Sequence, residues 1–230
     1  EICAEMREAL NKVEKEQAEK RRAEIRMLQA QINPHFLFNT LDSLRFTSMM
    51  NNVPVVSDGL AALSHLLRSS ILKDNSYTPL HSELQTVEDY LTLQRIRCCE
   101  TIVLKTEISE EAAKASVMRL LLQPIVENAI LHGVKGVTAG QIIVSAIEYE
   151  NDFVISVFNN GNSADKKKIE DLLKGEKNQR AVTGIGLYNV NSRLKLLYGE
   201  SYGLIYNEKV RNGFEIWVRL PKKITESEER

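Results

Sequence analysis

The first sixty residues contain one histidine, His35, in a stretch that otherwise has the character of a long helix. At neutral pH an imidazole, whose ordinary pKa is about 6.5, is mostly uncharged and has a lone pair on one ring nitrogen. Pro34 cannot donate a backbone hydrogen bond, so we expect the helix to kink there and to present His35 as a nucleophile. The alternative is an ordinary histidine on a helix surface.

Polar residues and glycines that suit a nucleotide and its metal ion occur at three places in the second half of the chain. The three groups are Glu127-Asn128 with His132, Asn159-Asn160-Gly161, and Gly184-Ile185-Gly186-Leu187 with Asn189. Glycines at a helix start leave backbone amides open to phosphate groups. An amide oxygen on a neighbouring helix is a ligand type that Mg²⁺ accepts. Each group is a weak signal alone, because glycines before a helix also occur in ordinary turns.

The stretch around the histidine has a more specific pattern. Asn33–Asn39 (NPHFLFN), preceded by Gln29 and Gln31, resembles the phosphoacceptor box of one group of bacterial two-component sensor histidine kinases, the LytS/YesM-like group. In that family the histidine of this box accepts a phosphoryl group. The resemblance therefore implies the nucleophile interpretation of His35.

The second half of the chain extends the same resemblance. Leu122–Ile130 is similar to the N box, and Gly184–Leu194 to the G2 box, of the ATPase fold that histidine kinases share with gyrase-type ATPases. The segments Pro79–Leu84 and Tyr90–Gln94 are similar to the region that connects the two parts of these kinases. The motifs follow the order of the family, and the resemblance spans about residues 27 to 220.

The resemblance implies roles for the residues around the phosphates. Asn128 would coordinate the Mg²⁺ that bridges the ATP phosphates, and Glu127 would be a base or a carboxylate that holds a water. His132 would contact the phosphate side or the lid. Asn39 lies one helical turn beyond His35 on the same face, where it could orient the imidazole or a hydrolytic water. The alternatives are a surface acid for Glu127, a packing histidine for His132 and a cap-like amide for Asn39.

The resemblance also implies the residues that surround the base and the lid. Asn159 occupies the position of the aspartate that accepts the adenine amino group, and residues 159–183 would form the ATP lid. The other nucleotide-binding residues implied are Gly161, Gly184, Gly186, Leu187 and Asn189. Lys177 and Arg180 lie in the lid and either approach the γ-phosphate or stay solvated.

The chain departs from the family pattern at several positions. A neutral amide at Asn159 replaces a carboxylate, so we expect a weaker bond to the adenine amine. Ser163 replaces the second glycine of the G1 box, and Leu131 stands where many histidine kinases have a basic residue. Phe36 follows His35 where many have an acidic residue, so either Glu127 supplies a carboxylate or no strong base is needed.

Apolar periodicity predicts the elements that position these residues. Residues 1–31 lack glycine and proline and have a coiled-coil seam, which favours a parallel partner chain over a helix folded back on its own domain. The predicted helices run to Met50, over 55–73, over 83–98 with Ser82 as its N-cap, over 118–134, and from Gly184 to Tyr198. The predicted strands are 102–108, 141–149, 153–158, 203–208 and 213–220.

These elements predict a multidomain α plus α+β protein. Residues 1–100 would form a coiled coil and a dimerising helical bundle that carries His35. Residues 101–225 would form an α/β sandwich ATPase domain of the Bergerat type, since paired strands separated by helices do not follow strict βαβ alternation.

Composition restricts the class of protein. With a formal net charge of -1 and 43% hydrophobic residues among 230, nothing indicates disorder or nucleic acid as the main partner. The three cysteines have no metal-ligand spacing and are typical of reduced thiols. No apolar run is long enough for a membrane span. Because the chain begins at Glu1 and not at Met, we expect a fragment of a longer protein. ATP and reduced thiols predict the cytoplasm, and the leading coiled coil predicts a membrane segment upstream.

The prediction for function is a sensor histidine kinase that uses ATP and Mg²⁺ to phosphorylate His35 and then passes the phosphoryl group to an aspartate of a response regulator. One alternative is a degenerate, non-catalytic signalling scaffold. Another is a plain ATPase with water as the nucleophile, against which the box around His35 argues.

Overall fold

The computed structural model describes residues 34–71, 77–98, 102–134, 136–137, 139–161, 169, 173, 185–210 and 212–222. The predicted coiled coil, the predicted kink at Pro34 and three residues at the start of the phosphoacceptor box, Gln29, Gln31 and Asn33, lie outside this part of the chain. Four residues of the second half do so as well. Those four are Ser163, Lys177, Arg180 and Gly184.

Two helices open the described chain and form a hairpin. Helix α1 is Pro34–Met50 and helix α2 is Pro54–Ile71, as the periodicity predicts. Asn52 turns the chain between them with a φ of 55°, a left-handed conformation that Asn tolerates. Phe38 and Leu41 of α1 are buried. The guanidinium carbon of Arg68 on α2 lies 4.5 Å from the centre of the Phe38 ring, and this cation–π contact helps to hold the two helices together.

The third helix, α3, begins earlier than the sequence predicts. It is Leu80–Cys98, so the predicted start at Glu83 and the predicted N-cap at Ser82 are wrong. A short strand, β1 (Tyr77–Pro79), leads directly into it, and the Leu80 amide donates to the carbonyl of Ala115 at 2.9 Å. The Ser82 carbonyl lies inside the helix, where it accepts from the Thr86 hydroxyl.

A five-stranded sheet forms the second half of the molecule. Its strands are β2 (Val103–Glu107), β4 (Gln141–Glu148), β5 (Asp152–Asn159), β6 (Gly203–Tyr206) and β7 (Phe214–Pro221). Their order is β2-β4-β5-β7-β6, with β2 and β4 parallel and the other pairs antiparallel. The alternating apolar residues put one face of this sheet in the core. The mixed helix-and-sheet architecture predicted for this half is confirmed.

The predicted helix over 118–134 is wrong at its start and in its regularity. Met118 ends a three-residue strand, β3 (Ser116–Met118), which pairs with β1, and Leu120 turns the chain with a φ of 55°. Helix α5 is only Leu122–Asn128, and a π-helical turn, Ala129–Val134, continues it. A one-turn helix, α4 (Glu110–Ala113), was not predicted; the Ser109 side chain caps it.

The last helix, α6 (Ile185–Tyr198), packs with α5 on the inner face of the sheet. Helix α3 joins the same core, because Leu80, Val87 and Leu91 are fully buried within one cluster that contains the sheet and α5. Helix α3 also packs against α2, so it touches both halves of the molecule. The domain boundary at residue 100 stays a prediction. Over the described residues, no helix combines the length and apolarity needed to cross a bilayer.

Candidate active site

His35 is exposed in the first turn of α1. The side-chain nitrogen of Asn39 lies 3.3 Å from Nδ1 and 3.4 Å from Nε2 of the imidazole. The amide can donate to the unprotonated ring nitrogen or, after half a turn, accept from the protonated one, so Asn39 is close enough to orient the ring. The spacing of one helical turn places both side chains on one face, as the sequence predicts. The hydrogen bonds described for His35 remain within α1.

Glu127 and Asn128 are both half-buried at the end of α5. The Tyr90 hydroxyl of α3 donates to Glu127 Oε1 at 3.2 Å. Burial, followed by the nearby charge of Glu127, raises the pKa of Tyr90 to about 12. Glu127 therefore has a hydrogen-bond partner on another helix, which argues against the alternative that it is an ordinary surface acid. His132 and Leu131 are exposed on the π-helical turn.

Asn159 ends β5 and is 1% exposed. Within the described chain, its side-chain oxygen and its side-chain nitrogen have no hydrogen-bond partner. A Cβ at Gly133 would overlap this side chain, and a Cβ at Gly161 would overlap the Gly133 carbonyl. The two glycines thus let the π-helical turn and the chain after β5 close on the Asn159 amide. A buried amide without partners is expensive, so this arrangement suits a ligand that hydrogen-bonds there.

Some residues of the predicted G2 box pack against the core, and others are exposed to solvent. A Cβ at Gly186 would lie 3.3 Å from Pro124 Cβ, so the glycine allows α6 to approach α5 closely. Leu187 is buried in the core, and Asn189 is exposed. Helix α5 of the N box thus contacts the start of α6 where Pro124 meets Gly186, and its π-helical continuation contacts the end of β5 where Gly133 meets Asn159.

Glu83 has a role that the sequence did not reveal. Its buried carboxylate accepts the backbone amides of Leu120 at 2.9 Å, Leu121 at 2.9 Å and Leu122 at 3.1 Å. No side chain caps α5 from its own N-cap position, so α3 supplies the cap. Burial raises the pKa of Glu83, although these three amides act in the opposite direction. A cap that comes from another helix leaves no local pattern in the sequence.

Asn191 is a second residue that sequence reasoning missed. Its side-chain nitrogen donates to the Leu173 carbonyl at 2.9 Å, and its oxygen accepts the Leu204 amide at 2.8 Å. Leu173 belongs to the predicted lid segment, so Asn191 ties that segment to α6 and β6. Its spacing from the buried residues Leu187 and Leu194 is typical of the inner face of a helix and could have identified it.

The comparisons with known proteins agree with these two halves. Residues 23–102 match the family model described as histidine kinase, and residues 113–224 match the one described as histidine kinase-, DNA gyrase B-, and HSP90-like ATPase. Because these two matches together span most of the chain and its relatives include YesM and LytS, the chain belongs to the LytS/YesM-like sensor histidine kinases. This family assignment explains why the phosphoacceptor box and the ATPase motifs occur in one chain.

Relatives of this sensor kinase family are similar over most of the chain. The sensor histidine kinase YesM of Bacillus subtilis (strain 168) is 32% identical over 94% of this chain and 37% of its own length. The sensor protein LytS of Bacillus anthracis is 34% identical over 90% of this chain and 35% of its own length. The chain thus spans about a third of these relatives. The solved structure of the Acinetobacter baumannii histidine kinase AdeS is 15% identical, with a TM-score of 0.49, over 84% of this chain and 96% of that one.

Proposed function

We propose that the chain is the kinase part of a two-component sensor, which phosphorylates His35 from ATP and passes the phosphoryl group to an aspartate of a response regulator. The observation that carries this proposal is the exposed His35 imidazole with the Asn39 amide beside it. An exposed ring is accessible to a phosphoryl donor, as the nucleophile interpretation requires. Here the ring faces solvent and has its neighbour on its own helix.

The second half has the donors and acceptors that Mg-ATP requires. The buried Asn159 amide would meet the adenine edge, since neither its oxygen nor its nitrogen has a hydrogen-bond partner within the described chain. Asn128 would hold Mg²⁺ through its amide oxygen, and the bound ion would neutralise phosphate charge. His132, Gly184, Gly186 and Asn189 are proposed to face the phosphates, and Leu187 to hold their helix in place.

The chemical step is a substitution at the γ-phosphorus. A lone pair on a His35 ring nitrogen forms the N–P bond while the bond from phosphorus to the bridging oxygen breaks, and ADP leaves with that electron pair. The other ring nitrogen then loses its proton to Glu127 or to water, which restores a neutral ring. Asn39 orients the imidazole during attack by accepting the N–H of the other ring nitrogen with its amide oxygen, which leaves the attacking lone pair free. Catalysis is then mostly positioning.

The helical hairpin is proposed to dimerise. Large apolar side chains are exposed along α1 and at the start of α2: Phe36, Leu44, Phe46, Met49, Met50, Val55 and Val56. Pairing two hairpins into a four-helix bundle would bury such a surface. We propose a homodimer, continued by the predicted coiled coil, as the cytoplasmic part of a membrane-anchored sensor.

The test is incubation with Mg²⁺ and ATP labelled at the γ-phosphate. Wild type is expected to acquire acid-labile, alkali-stable label, and His35→Ala to lose it. His65→Ala is the control, because His65 is also an exposed histidine of the hairpin but its ring pairs with Asp89 of α3, and this variant should keep the label. Label that persists in His35→Ala would contradict the proposal. Phosphate release without any labelled protein would instead favour an ATPase, and absence of nucleotide binding would favour the scaffold.

A further inference from the structure

We propose that Asn159 makes this nucleotide site accept guanine as well as adenine, so that the site discriminates weakly between ATP and GTP. The inference rests on the proposed function, because it concerns the base-binding part of that same site. It goes further in naming the residue that determines which purine is bound.

The first observation is the orientational freedom of the Asn159 amide. The side chain is buried, yet neither its oxygen nor its nitrogen has a partner in the described chain. No hydrogen bond therefore determines which of the two atoms points to the ligand. A rotation of the amide by half a turn exchanges donor and acceptor without breaking a bond to the protein.

Asn160, the next residue, has hydrogen-bond partners for both atoms of its side-chain amide. Asn160 Oδ1 accepts the Gln141 amide at 2.7 Å, and its Nδ2 donates to the Ala139 carbonyl at 3.1 Å. Both atoms of that amide are occupied, so its orientation is determined by the fold. Of these adjacent asparagines, Asn160 is a structural link, whereas Asn159 has its hydrogen-bonding capacity available to a ligand.

The purine edges decide what such an amide can bind. Adenine presents an amino donor at position 6 and an acceptor at N1, whereas guanine presents a carbonyl at position 6 and a donor at N1–H. A carboxylate accepts only, so it favours the adenine amine and repels the guanine carbonyl. An amide that is free to turn presents a donor and an acceptor in either order. It can therefore pair with adenine in one orientation and with guanine in the other.

The experiment is calorimetric titration of the whole chain with the non-hydrolysable imido analogues of ATP and GTP in excess Mg²⁺ at pH 8, which is far above the ordinary pKa of a carboxylate. We expect the two dissociation constants of wild type to agree within about tenfold, which is about 1.4 kcal/mol. Asn159→Asp is expected to widen the preference for the adenine analogue by at least about tenfold. Asn151→Asp, with the same charge at an exposed position between β4 and β5, is expected to leave the ratio unchanged.

A wild-type preference for the ATP analogue above about tenfold overturns the inference, as does an unchanged ratio in Asn159→Asp. If that variant fails to fold in a thermal scan, Asn159→Ser replaces it, since a hydroxyl is also donor and acceptor, and a wild-type-like ratio is then expected. Discrimination by wild type would leave His35 phosphorylation from ATP intact. Failure of both analogues to bind would contradict the proposed function, and the inference with it.

Discussion

At the scale of the residue, the contact between Asn39 and His35 is the most direct link between structure and chemistry. Its geometry follows from helical spacing, and the sequence predicted it. The sequence equally predicted Asn159 as a base contact, because both residues lie within short motifs. It did not predict that the Asn159 amide would be buried without a partner, since this depends on Gly133 and Gly161, which come from two separate segments.

The Asn39 contact leads to a prediction for phosphorylation of His35. Asn39→Ala is expected to slow labelling by about fivefold to tenfold, because one hydrogen bond that orients the ring is worth about 1 kcal/mol. The initial rate with γ-labelled ATP measures it. Ser43→Ala is the control, since the Ser43 hydroxyl bonds only to the Asn39 carbonyl among its described hydrogen bonds. Unchanged phosphorylation, phosphotransfer and phosphatase activity in Asn39→Ala would show that the amide has no functional part.

At the scale of the element, helix α3 holds α5 at both ends. Glu83 caps the first turn of α5, and Tyr90, seven residues further along α3, bonds to Glu127 near its end. Two contacts on one face of α3 thus determine the position of the helix that carries Asn128. A displacement of α3 would move the proposed metal ligand.

Removal of the Tyr90 hydroxyl is expected to weaken nucleotide binding with little change in stability. Tyr90→Phe retains the ring and loses the bond to Glu127, so we expect about a fivefold higher dissociation constant for Mg-ATP. Calorimetric titration measures it, and a thermal scan checks the fold. Tyr149→Phe is the matched control, because Tyr149 is exposed beyond the end of β4. Equal affinity of Tyr90→Phe and wild type would contradict a positioning role.

The raised pKa of Glu83 gives a prediction for the pH dependence of stability. Because burial raises the pKa of Glu83 in the folded state above its ordinary value of about 4.5, the folded protein holds this proton more tightly than the unfolded chain. The stability that Glu83 contributes is full below that value and declines as pH rises through the raised pKa. Glu83→Gln is expected to cost about 1–3 kcal/mol, since an amide nitrogen would face backbone donors.

Chemical denaturation of wild type and Glu83→Gln at several pH values from 4 upwards tests this prediction. The difference in unfolding free energy between the two proteins should shrink as pH rises. A Glu88→Gln variant serves as the control, since Glu88 is on the same helix and its side chain is 45% exposed. Its ion pair with Arg95 is a surface pair, which contributes little to stability. A difference that grows with pH would contradict the prediction, because it would mean that the three amide hydrogen bonds lower the pKa of Glu83 by more than burial raises it.

The errors in the predicted elements have identifiable physical causes. Strands β1 and β3 have three residues each, too few for alternation to be visible. The apolar run after Ser116 looks like one helix because a buried strand and a buried helix share the same composition. The strand and the helix are separated by a turn in which Leu120 has a positive φ. Leucine rarely adopts this conformation, so its residue type does not predict the turn. The longer strands β4, β5 and β7 were predicted within about two residues.

At the scale of the whole molecule, the exposed apolar surface of the hairpin leads to a prediction for assembly. Leu44 of α1 is 50% exposed, and a charge there would be placed inside the proposed four-helix bundle. Leu44→Glu is expected to convert the dimer to a monomer in light scattering combined with size-exclusion chromatography. Leu196→Glu on α6 is the control, because Leu196 is 86% exposed and lies outside the hairpin. A wild-type monomer, or a dimeric Leu44→Glu, would contradict this interface.

The burial of α3 in the core also affects where a gene for such a kinase can recombine with a new sensory segment. Leu80, Val87 and Leu91 fill the core beneath the sheet, so recombination at residue 100 would remove apolar side chains that the second half cannot replace. A crossover between Ile71 and Tyr77 would transfer α3 together with the core that it completes. New inputs are therefore expected to be inherited most readily when the exchanged segment ends before α3, with the connecting helix inherited as part of the catalytic half.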